Sequence, residues 1–377
     1  MAEEEAMHLF EEIIDNSQNA LVREAMDAGR IPIGYTCSFV PEVLLSVDGL
    51  FPLRLRAPGI GGTQLADIYL PPIICSYCRS LLEYGMNGQY DFLGGWVFNH
   101  SCQHMNRCSD VVKTVVKPPF VHVLDALHTC TENTIAWMVD ELQELKEKLS
   151  NHFDVSINDD TLNTSIAEHN LFVSVMQKIG ELRKLEHPPL TGTEFQKIMT
   201  ASLAAPKDLL LERVVKDYLD LLPTRDGVKD YRARLMVLGG AMDDPGYIEI
   251  IEEMGGLVVG DHFCTGSVPG LNPIGSKNLA PLERIARHTM EKACPRMLDA
   301  IDARLQGVMQ TIEEHLVDGV IVQQLKFCDS MSYYGMAMAE YLREAGIPVL
   351  RVDREYRLSG EGQLRTRVQA FIESMGK

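Results

Sequence analysis

Hydrophobic positions along this chain follow two different spacings, and the change from one to the other predicts its elements. Helical spacing over residues 3–30 predicts an amphipathic helix that ends near Gly29. Short apolar runs at residues 31–35 and 50–55 then predict two strands, with a short helix between them that begins after Pro41. A strand–helix–strand order of this kind is typical of parallel pairing.

The alternation continues in the first third of the chain, stops, and then begins again at Arg234. Further strands are predicted at residues 92–98 and 121–124, and a helix begins after Cys75. Helices alone are predicted next, at residues 138–149, 160–185, 193–204 and 209–221. Asp160 and Thr193 are the candidate caps of two of them. The second alternating region has predicted strands at residues 235–238, 257–259, 318–322 and 346–353. Its predicted helices are at residues 247–254, 335–345 and 363–375, together with a helical stretch at 284–316 that is interrupted around residues 293–297.

This order of elements predicts an α/β fold with two parallel-sheet lobes of flavodoxin or Rossmann type, joined by a helical segment. We expect an N-terminal α/β domain at residues 1–131, a helical connector or cap at 132–225 and a C-terminal α/β domain at 226–377. Parallel sheets bind ligands beyond the carboxyl ends of their strands. A site is therefore expected in the cleft where the two lobes face each other.

Composition and charge exclude several classes of protein. The formal net charge of −18 argues against nucleic acid as a partner, because phosphate binding needs a positive field. No apolar run reaches the roughly 18 residues of a membrane span, and the first residues lack the plan of a signal peptide. We therefore expect a cytoplasmic protein. Nine cysteines at scattered spacings then predict reduced thiols rather than a disulfide framework.

The cysteines carry the candidate chemistry. Cys75 and Cys78 form a Cys-x-x-Cys pair, which by itself fits half a zinc site, a redox pair or chance. Cys75, Cys102 and Cys328 are each predicted near the end of a strand, in two different lobes. Three thiols so placed would hold a cofactor in the cleft. A cofactor in this position fits catalysis or electron transfer better than a purely structural metal site.

Each neighbouring residue also has a plainer interpretation. Cys78 and Cys108 are expected to be packed or supporting thiols, whereas Cys264, beside Asp261 and His262, fits a cleft-lining role and a loop-packing role equally. The remaining cysteines are interpreted as structural: Cys37, Cys130 and Cys294. His100 and His104 leave a zinc site possible, because imidazole is a zinc ligand. If the cofactor is an iron–sulfur cluster, we expect these histidines to hydrogen-bond to loop carbonyls rather than to cluster sulfurs, and Arg79 to offset the charge of the cluster. No Gly-x-Gly-x-x-Gly or P-loop motif supports NAD or ATP binding.

Taken together, several short motifs resemble the 2-hydroxyacyl-CoA dehydratase family, which also holds benzoyl-CoA reductase subunits and double-cubane reductases. The resemblance runs from about Ile31 to the C-terminus, and the length is similar to that of the smaller, β-type subunit. The motifs are Cys-Ser-Tyr-Cys-Arg-Ser at 75–80, His-Ser-Cys-Gln-His-Met at 100–105, Gly-Asp-His-Phe-Cys-Thr-Gly at 260–266, Ala-Cys-Pro-Arg-Met at 293–297, Gln-Leu-Lys-Phe-Cys-Asp at 324–329 and Gly-Ile-Pro-Val-Leu-Arg-Val-Asp at 346–353.

The resemblance implies an oxygen-sensitive iron–sulfur lyase of anaerobic amino-acid fermentation. It implies that Cys75, Cys102 and Cys328 hold a [4Fe-4S] cluster whose remaining iron is left for water, sulfide or substrate. It also implies a heterodimer with a larger α-type subunit, an acyl-CoA substrate, and a separate ATP-hydrolysing iron–sulfur activator. The (R)-2-hydroxyacyl-CoA would lose water to give the 2-enoyl-CoA through a ketyl radical. No catalytic side chain is assigned in this chain.

Three alternatives stay open at this point. The same cofactor fits a benzoyl-CoA reductase subunit or a double-cubane reductase. A chain with bound zinc and no catalytic role is the alternative from another class. The acyl group, the presence of a flavin (FMN) in the complex, and contact between this chain's cluster and the substrate are also left open.

Overall fold

The computed structural model describes residues 3–47, 49–267 and 272–377, and its strands and helices alternate in two separate regions. The strands are β1 (Ile31–Tyr35), β2 (Leu50–Arg54), β3 (Gly95–Asn99), β4 (Val121–Leu124), β5 (Ala233–Gly239), β6 (Gly256–Phe263), β7 (Gly319–Leu325) and β8 (Val349–Arg354). The helices are α1 (Glu3–Asp15), α2 (Ala20–Asp27), α3 (Glu42–Leu45), α4 (Ser76–Met86), α5 (Gln103–Val111), α6 (Glu132–Phe153), α7 (Asp159–Glu181), α8 (Gly192–Ala204), α9 (Lys207–Leu210), α10 (Lys216–Leu221), α11 (Gly246–Glu253), α12 (Pro281–Met290), α13 (Ile301–Glu314), α14 (Asp329–Glu344) and α15 (Glu361–Ser374). Single π turns extend α5 and α9, at Val112–Val116 and Leu211–Val215.

The strands form two four-stranded sheets, and every strand pair in both is parallel. The first sheet has the order β2-β1-β3-β4 and the second has the order β6-β5-β7-β8. In each sheet the strand order reverses beside its first strand, which leaves a crevice at the carboxyl ends. The predicted α/β fold with two parallel sheets is confirmed.

Apolar side chains cover both faces of both sheets, as parallel sheets require. Strands β2 and β3 are buried throughout, so their sequences read as continuous apolar runs with few polar interruptions. Trp96 and Phe98 pack on one face of the first sheet, whereas Val97 packs on the other. Helices α7 and α8 share a further apolar cluster with α1, which joins the N-terminal helix to the helical segment.

Several predicted elements differ from the structure at their ends. The single helix predicted over residues 3–30 is wrong, because the chain breaks after α1 and Asn19 caps a separate helix α2 through the Val22 N–H. Asn158 and Thr191, rather than Asp160 and Thr193, cap α7 and α8. In both helices the side chain of the true cap accepts the N–H three residues on, and the cap's own N–H donates to the side chain of that third residue.

Buried polar contacts join the two lobes beside the carboxyl ends of their strands. Arg56 donates from Nε to Asp243 Oδ2 at 2.7 Å, and the Tyr356 hydroxyl donates to the same oxygen at 2.8 Å. The Ala57 N–H donates to the Tyr356 hydroxyl at 3.0 Å, and the Tyr356 N–H donates to Ser76 Oγ at 2.8 Å. We call these the interlobe contacts. They fix the start of α4 against the second sheet.

Candidate metal centre

Each of the three predicted cysteines stands immediately before a helix, at the carboxyl edge of a sheet. Cys75 is the N-cap of α4, Cys102 is the N-cap of α5 and Cys328 is the N-cap of α14. Cys102 and Cys328 follow β3 and β7 closely, as predicted. The positive ends of three helix dipoles are thereby aimed at the region of the thiols, which favours thiolates or an anionic group there.

The three sulfurs lie in one neighbourhood although they come from both lobes. Cys75 is buried in the apolar cluster that covers one face of the first sheet, and Cys102 and Cys328 pack against the same cluster. Burial raises the pKa of Cys328 to about 12, and the nearby Cys75 and Cys102 thiols raise it further. Burial likewise raises the pKa of Cys102 to about 11. The structure thus brings the predicted set together, and its binding of a cluster stays a prediction.

Cys75 differs from the other two because it is ionised most easily. Its sulfur lies 3.6 Å from that of Cys78, and this hydrogen bond, followed by one with His104, lowers the pKa of Cys75 to about 5. The Cys78 thiol in turn has its pKa raised well above the usual value, first by its neighbour Cys108. Cys78 and Cys108 are therefore buried beside Cys75, and Cys78 stabilises the Cys75 thiolate by a hydrogen bond. This agrees with their interpretation as supporting thiols.

Two polar neighbours differ from their predicted roles. The sequence predicts that His104 satisfies a loop carbonyl, but its Nδ1 accepts the Cys75 N–H at 3.2 Å and its Nε2 lies 4.0 Å from the Asp329 carboxylate. His104 thus connects the starts of all three helices. Arg79 donates to Asp67 at 2.8 Å and to the Ile74 carbonyl, so its charge is already paired locally.

Thiols from three separate segments are donors of the kind that an iron–sulfur cluster binds. Among residues 3–47, 49–267 and 272–377, no three Cys, His, Asp or Glu side chains converge closely enough to hold one metal ion. A four-iron cluster binds its ligands at separate irons, so its thiolates need not meet at one point, and thiolate is its characteristic ligand. Three thiols at three positive helix ends match the charge of such a cluster.

A second group of thiols lies in the same cleft, and sequence reasoning missed it. Cys37 follows β1, Cys264 follows β6 and Cys294 follows α12, so only the folded topology shows that they are neighbours. Burial raises the pKa of Cys264 well above its usual value, and Cys294 and Cys37 raise it further. Cys328 contributes in the same direction, which places this second group beside the first. The interpretation of Cys37 and Cys294 as purely structural thiols therefore overlooked their common location.

The surroundings of this second group are cationic. Cys264, Cys294 and Lys292 line a recess of about 20 Å³, which is room for roughly one water molecule. Lys292 donates to the Ser38 carbonyl at 2.6 Å, and burial lowers its pKa to about 8. The Nε atoms of Arg54 and Arg296 are buried nearby without a hydrogen-bond acceptor among the described residues. Unpaired buried donors of this kind favour an anionic species in the cleft.

A larger cavity, of about 830 Å³, lies away from the cysteines, between β2, α3 and the helical segment. Its walls carry both signs of charge, and Lys207 pairs with Glu42 at 2.6 Å while Arg30 pairs with Asp208 at 2.7 Å. The lining also includes Glu168, His169, Glu212 and Lys216, and the buried Nε2 of His169 has no hydrogen-bond partner among the described residues. Among the described residues, no helix combines the length and the apolar character that a membrane-crossing segment requires.

Comparison with known proteins gives a consistent set of matches. A family model described as 2-hydroxyglutaryl-CoA dehydratase, D-component, matches residues 37–375. The chain is 25% identical over 371 residues to the (R)-phenyllactyl-CoA dehydratase beta subunit of Clostridium sporogenes, covering 97% of each chain. It is 25% identical to the putative dehydratase subunit YjiM of Escherichia coli K12, covering 94% of each. It is 23% identical to a benzoyl-CoA reductase subunit of Thauera aromatica, covering 86% of this chain and 85% of that one.

Proposed function

Because this chain belongs to the 2-hydroxyglutaryl-CoA dehydratase D-component family, we propose that it is the β-type subunit of a 2-hydroxyacyl-CoA dehydratase. The matched residues 37–375 include all three predicted cluster cysteines, and the family resemblance drawn from the motifs is confirmed. Its relatives are themselves named as subunits of a dehydratase and of a reductase, which implies that a partner subunit exists. We propose that this partner is a larger α-type subunit.

The observation that carries the proposal is the meeting of three N-cap cysteines from two lobes. Cys75, Cys102 and Cys328 would each bind one iron of a [4Fe-4S] cluster, and α4, α5 and α14 would stabilise its negative charge through their N-terminal N–H groups. The interlobe contacts would keep Cys75 and Cys328 at a fixed separation, because Ser76 bonds directly to the second lobe. When bound, such a cluster supplies one-electron transfer.

The proposed reaction removes water from a 2-hydroxyacyl-CoA. A separate ATP-hydrolysing activator supplies one electron, and the reduced thioester carbonyl becomes a ketyl radical anion. The 2-hydroxyl then leaves, the β-proton becomes acidic enough to be removed, and the electron is returned, so that 2-enoyl-CoA and water are the only products. The residues of this chain would hold the redox centre, exclude water from it and orient it. The acyl pocket is assigned to the larger subunit.

Cysteine substitutions test the ligand assignment. We expect Cys75→Ser, Cys102→Ser and Cys328→Ser each to lose iron and visible absorbance after anaerobic purification, because serine is a poor ligand for iron–sulfur clusters. Cys130→Ser is the matched control, since this thiol lies before α6 and outside both groups. Iron and acid-labile sulfide analysis gives the result. Loss of iron from Cys78→Ser but not from Cys75→Ser would contradict the assignment, as would a colourless wild-type protein that contains zinc.

The second group of thiols favours a second candidate, a double-cubane reductase. Such a protein would carry about eight irons per chain instead of about four, and it would need thiolates beyond the first three. Cys37, Cys264 and Cys294 lie beside Cys328 in a cationic part of the cleft. Iron analysis of Cys264→Ser and Cys294→Ser separates the two candidates. The dehydratase predicts unchanged iron, whereas the reductase predicts about half of it lost.

A further inference from the structure

A small pocket at the carboxyl edge of the second sheet contains none of the cysteines. It lies between the end of β8 and the first turns of α11 and α15, and its volume is about 30 Å³. This volume is room for about two water molecules. Exposed residues at its border, such as Ser359 and Gly360, leave the pocket open to solvent. We call it the α15 pocket.

Three arginines line the α15 pocket, and none of them pairs with a carboxylate in the part of the chain that the structure describes. Every side-chain hydrogen bond that Arg354, Arg357 and Arg367 donate goes to a neutral carbonyl or amide oxygen. By contrast, Arg365 lies on the same helix as Arg367 and pairs with Glu253. Arginines are well suited to bind oxyanions, so three of them without a carboxylate partner around one pocket favour an anionic ligand.

A buried hydroxyl without a partner belongs to the same pocket. Tyr247 lines the pocket and is 4% exposed, and its hydroxyl makes no hydrogen bond to any described residue. The guanidinium carbon of Arg354 lies 5.5 Å from the centre of its ring. Burial raises the pKa of Tyr247 to about 12, so the hydroxyl keeps its proton and can donate it. Buried hydroxyls normally have a partner, so this one indicates an acceptor that a ligand supplies.

Helix α15 adds backbone donors at the open side of the pocket. This helix of 14 residues begins at Glu361 without a side-chain cap, and the positive end of its dipole is directed at the pocket. Gly360 precedes it with φ of 68°, and an added Cβ at Gly362 would meet no atom within 4 Å. A parallel strand, a loop with glycine and a helix N-terminus, in this order, form a common arrangement for phosphate binding.

One carboxylate in the α15 pocket limits which anions fit. Glu355 Oε2 is buried without a hydrogen-bond partner among the described residues, while its Oε1 lies 3.4 Å from Lys326 Nζ. The other lining carboxylates, Asp244 and Asp353, are exposed at the border. Sulfate has no proton to place against Glu355. Hydrogen phosphate carries one O–H group, which can donate to Glu355 while its other oxygens accept hydrogen bonds.

We propose that the α15 pocket binds inorganic phosphate in the form of hydrogen phosphate. The arginines and the Tyr247 hydroxyl donate to its deprotonated oxygens, the first N–H groups of α15 bind it from the open side, and Glu355 accepts its proton. Phosphate is thereby selected over sulfate, because sulfate would leave two negative oxygens in contact. The proposal is independent of the proposed function, since the pocket contains no cysteine.

Calorimetric titration with phosphate and with sulfate tests the proposal, at pH 7 and constant ionic strength so that screening does not differ. We expect saturable binding of phosphate and none of sulfate to the purified wild-type protein. Tyr247→Phe and Arg367→Gln should each weaken phosphate binding about tenfold, because each removes a hydrogen bond to a charged group. Arg365→Gln is the matched control and should bind phosphate as the wild type does, since Arg365 contacts Glu253.

Glu355→Gln tests the selectivity separately from the affinity. The amide can donate to a deprotonated oxygen, so this variant should show saturable binding of sulfate, which the wild type lacks. Thermal unfolding in buffer without phosphate and sulfate shows that each variant is folded. Both anions also stabilise folded proteins weakly by exclusion from the surface, so only saturable binding is counted.

The remaining outcomes would each overturn the proposal. If wild type binds no phosphate, or if wild type, Tyr247→Phe and Arg367→Gln bind it equally, the pocket holds water or an adventitious ion only. Equal binding of sulfate and phosphate by wild type would contradict the role of Glu355. Tighter binding of CoA than of phosphate, lost in the same variants, would assign the pocket to an organic phosphate instead. Iron content does not enter these measurements, so their failure leaves the proposed function intact.

Discussion

Close backbone approach at one glycine shapes the carboxyl edge of the second sheet. Gly239 is the last residue of β5, and a Cβ there would lie 2.3 Å from the carbonyl oxygen of Gln323 on β7. The Gln323 side chain accepts a hydrogen bond from Arg354, which also donates to the Ala241 carbonyl. This single position therefore lets three strand ends pack against one another beside the cleft.

We expect Gly239→Ala to destabilise the protein by about 1–3 kcal/mol, because the added methyl group must displace backbone as well as side-chain atoms. Urea unfolding followed by circular dichroism measures the change. Gly240→Ala is the matched control, since its Cβ would meet only the Met331 side chain, at 3.3 Å, and that of Leu325, at 4.0 Å. Equal stability of the two variants would contradict the proposed close approach.

At this scale the sequence predicted some residues and not others. The sequence predicted one shared region for Cys75, Cys102 and Cys328 from their places near strand ends, because strand ends of a parallel sheet meet at one edge. This holds for Cys102 and Cys328, which follow β3 and β7, whereas Cys75 comes long after β2 and is placed by the loop that leads into α4. Cys37 and Cys264 follow strands of different sheets and Cys294 follows a helix, so their grouping depends on how the two lobes face each other, which no local pattern gives. The role of His104 depends on a backbone N–H of another segment, which no local pattern reveals.

Among the elements, the strands were predicted more accurately than the helix ends. Buried parallel strands give short apolar runs, such as residues 50–53 of β2 and 319–322 of β7, and such runs can be recognised in the sequence. Helix ends depend on which of several adjacent polar residues reaches a free N–H, and residues 158–161 and 191–194 each offered more than one candidate. The helical stretch predicted over residues 284–316, with an interruption around 293–297, is two helices, α12 and α13, so the predicted interruption is confirmed.

Helix α7 contains a glycine whose replacement should stabilise it. Gly180 lies near the C-terminal end of α7, and no described atom would lie within 4 Å of an added Cβ. We expect Gly180→Ala to increase the free energy of unfolding by about 0.5–1 kcal/mol, because alanine loses less backbone entropy in a helix. Thermal unfolding measures this effect.

Gly85 on α4 is the comparison for this prediction. A Cβ there would lie 3.0 Å from the Trp96 ring. Gly85→Ala should therefore fail to stabilise the protein or should destabilise it. A stabilisation of both variants would show that helix propensity, and not the available space, decides the result.

In the whole molecule, the interlobe contacts connect the two sheets. Tyr356 contributes its hydroxyl to Asp243 and Ala57 and its N–H to Ser76, the neighbour of Cys75. Tyr356→Phe removes only the hydroxyl bonds. We expect it to lower the free energy of unfolding by about 1–3 kcal/mol, because the buried Asp243 carboxylate loses a donor.

Tyr247→Phe is the matched control for Tyr356→Phe. Tyr247 is also a buried tyrosine of the second lobe, and its hydroxyl has no partner among the described residues. Loss of the Tyr247 hydroxyl should leave the free energy of unfolding nearly unchanged. Anaerobic alkylation with mass spectrometry gives a second readout, since looser lobes should expose Cys75 and Cys328 more often in the Tyr356→Phe variant alone.

Stability should also fall in weak acid, and His122 shows the reason. This side chain is 5% exposed on β4, and burial, followed by the nearby Lys148, lowers its pKa to about 4. The unfolded chain binds a proton at this histidine below about pH 6.5, whereas the folded chain does not do so until about pH 4. The unfolded state therefore gains protons first as the pH falls, and folding becomes less favourable across this window.

Substitution of His122 tests this pH dependence. When the pH falls from about 7 to about 5, the unfolding free energy of both proteins should decrease. The decrease should be smaller for His122→Asn than for wild type, by up to about 2 kcal/mol. For each protein, the free energy of unfolding at one pH is subtracted from that at the other. This difference removes any effect of the substitution that does not depend on pH. His8→Asn, at an exposed position of α1, is the control substitution.

The distribution of the three cysteines over both lobes also constrains how the protein is made. During translation, Cys75 and Cys102 leave the ribosome with the first sheet, but Cys328 follows only after the helical segment and β5 to β7 have been synthesised. A nascent chain therefore presents two thiols long before it can present the third. On the ligand assignment proposed above, insertion of a cluster would follow the synthesis of β7, and the first two thiols would have to stay reduced until then.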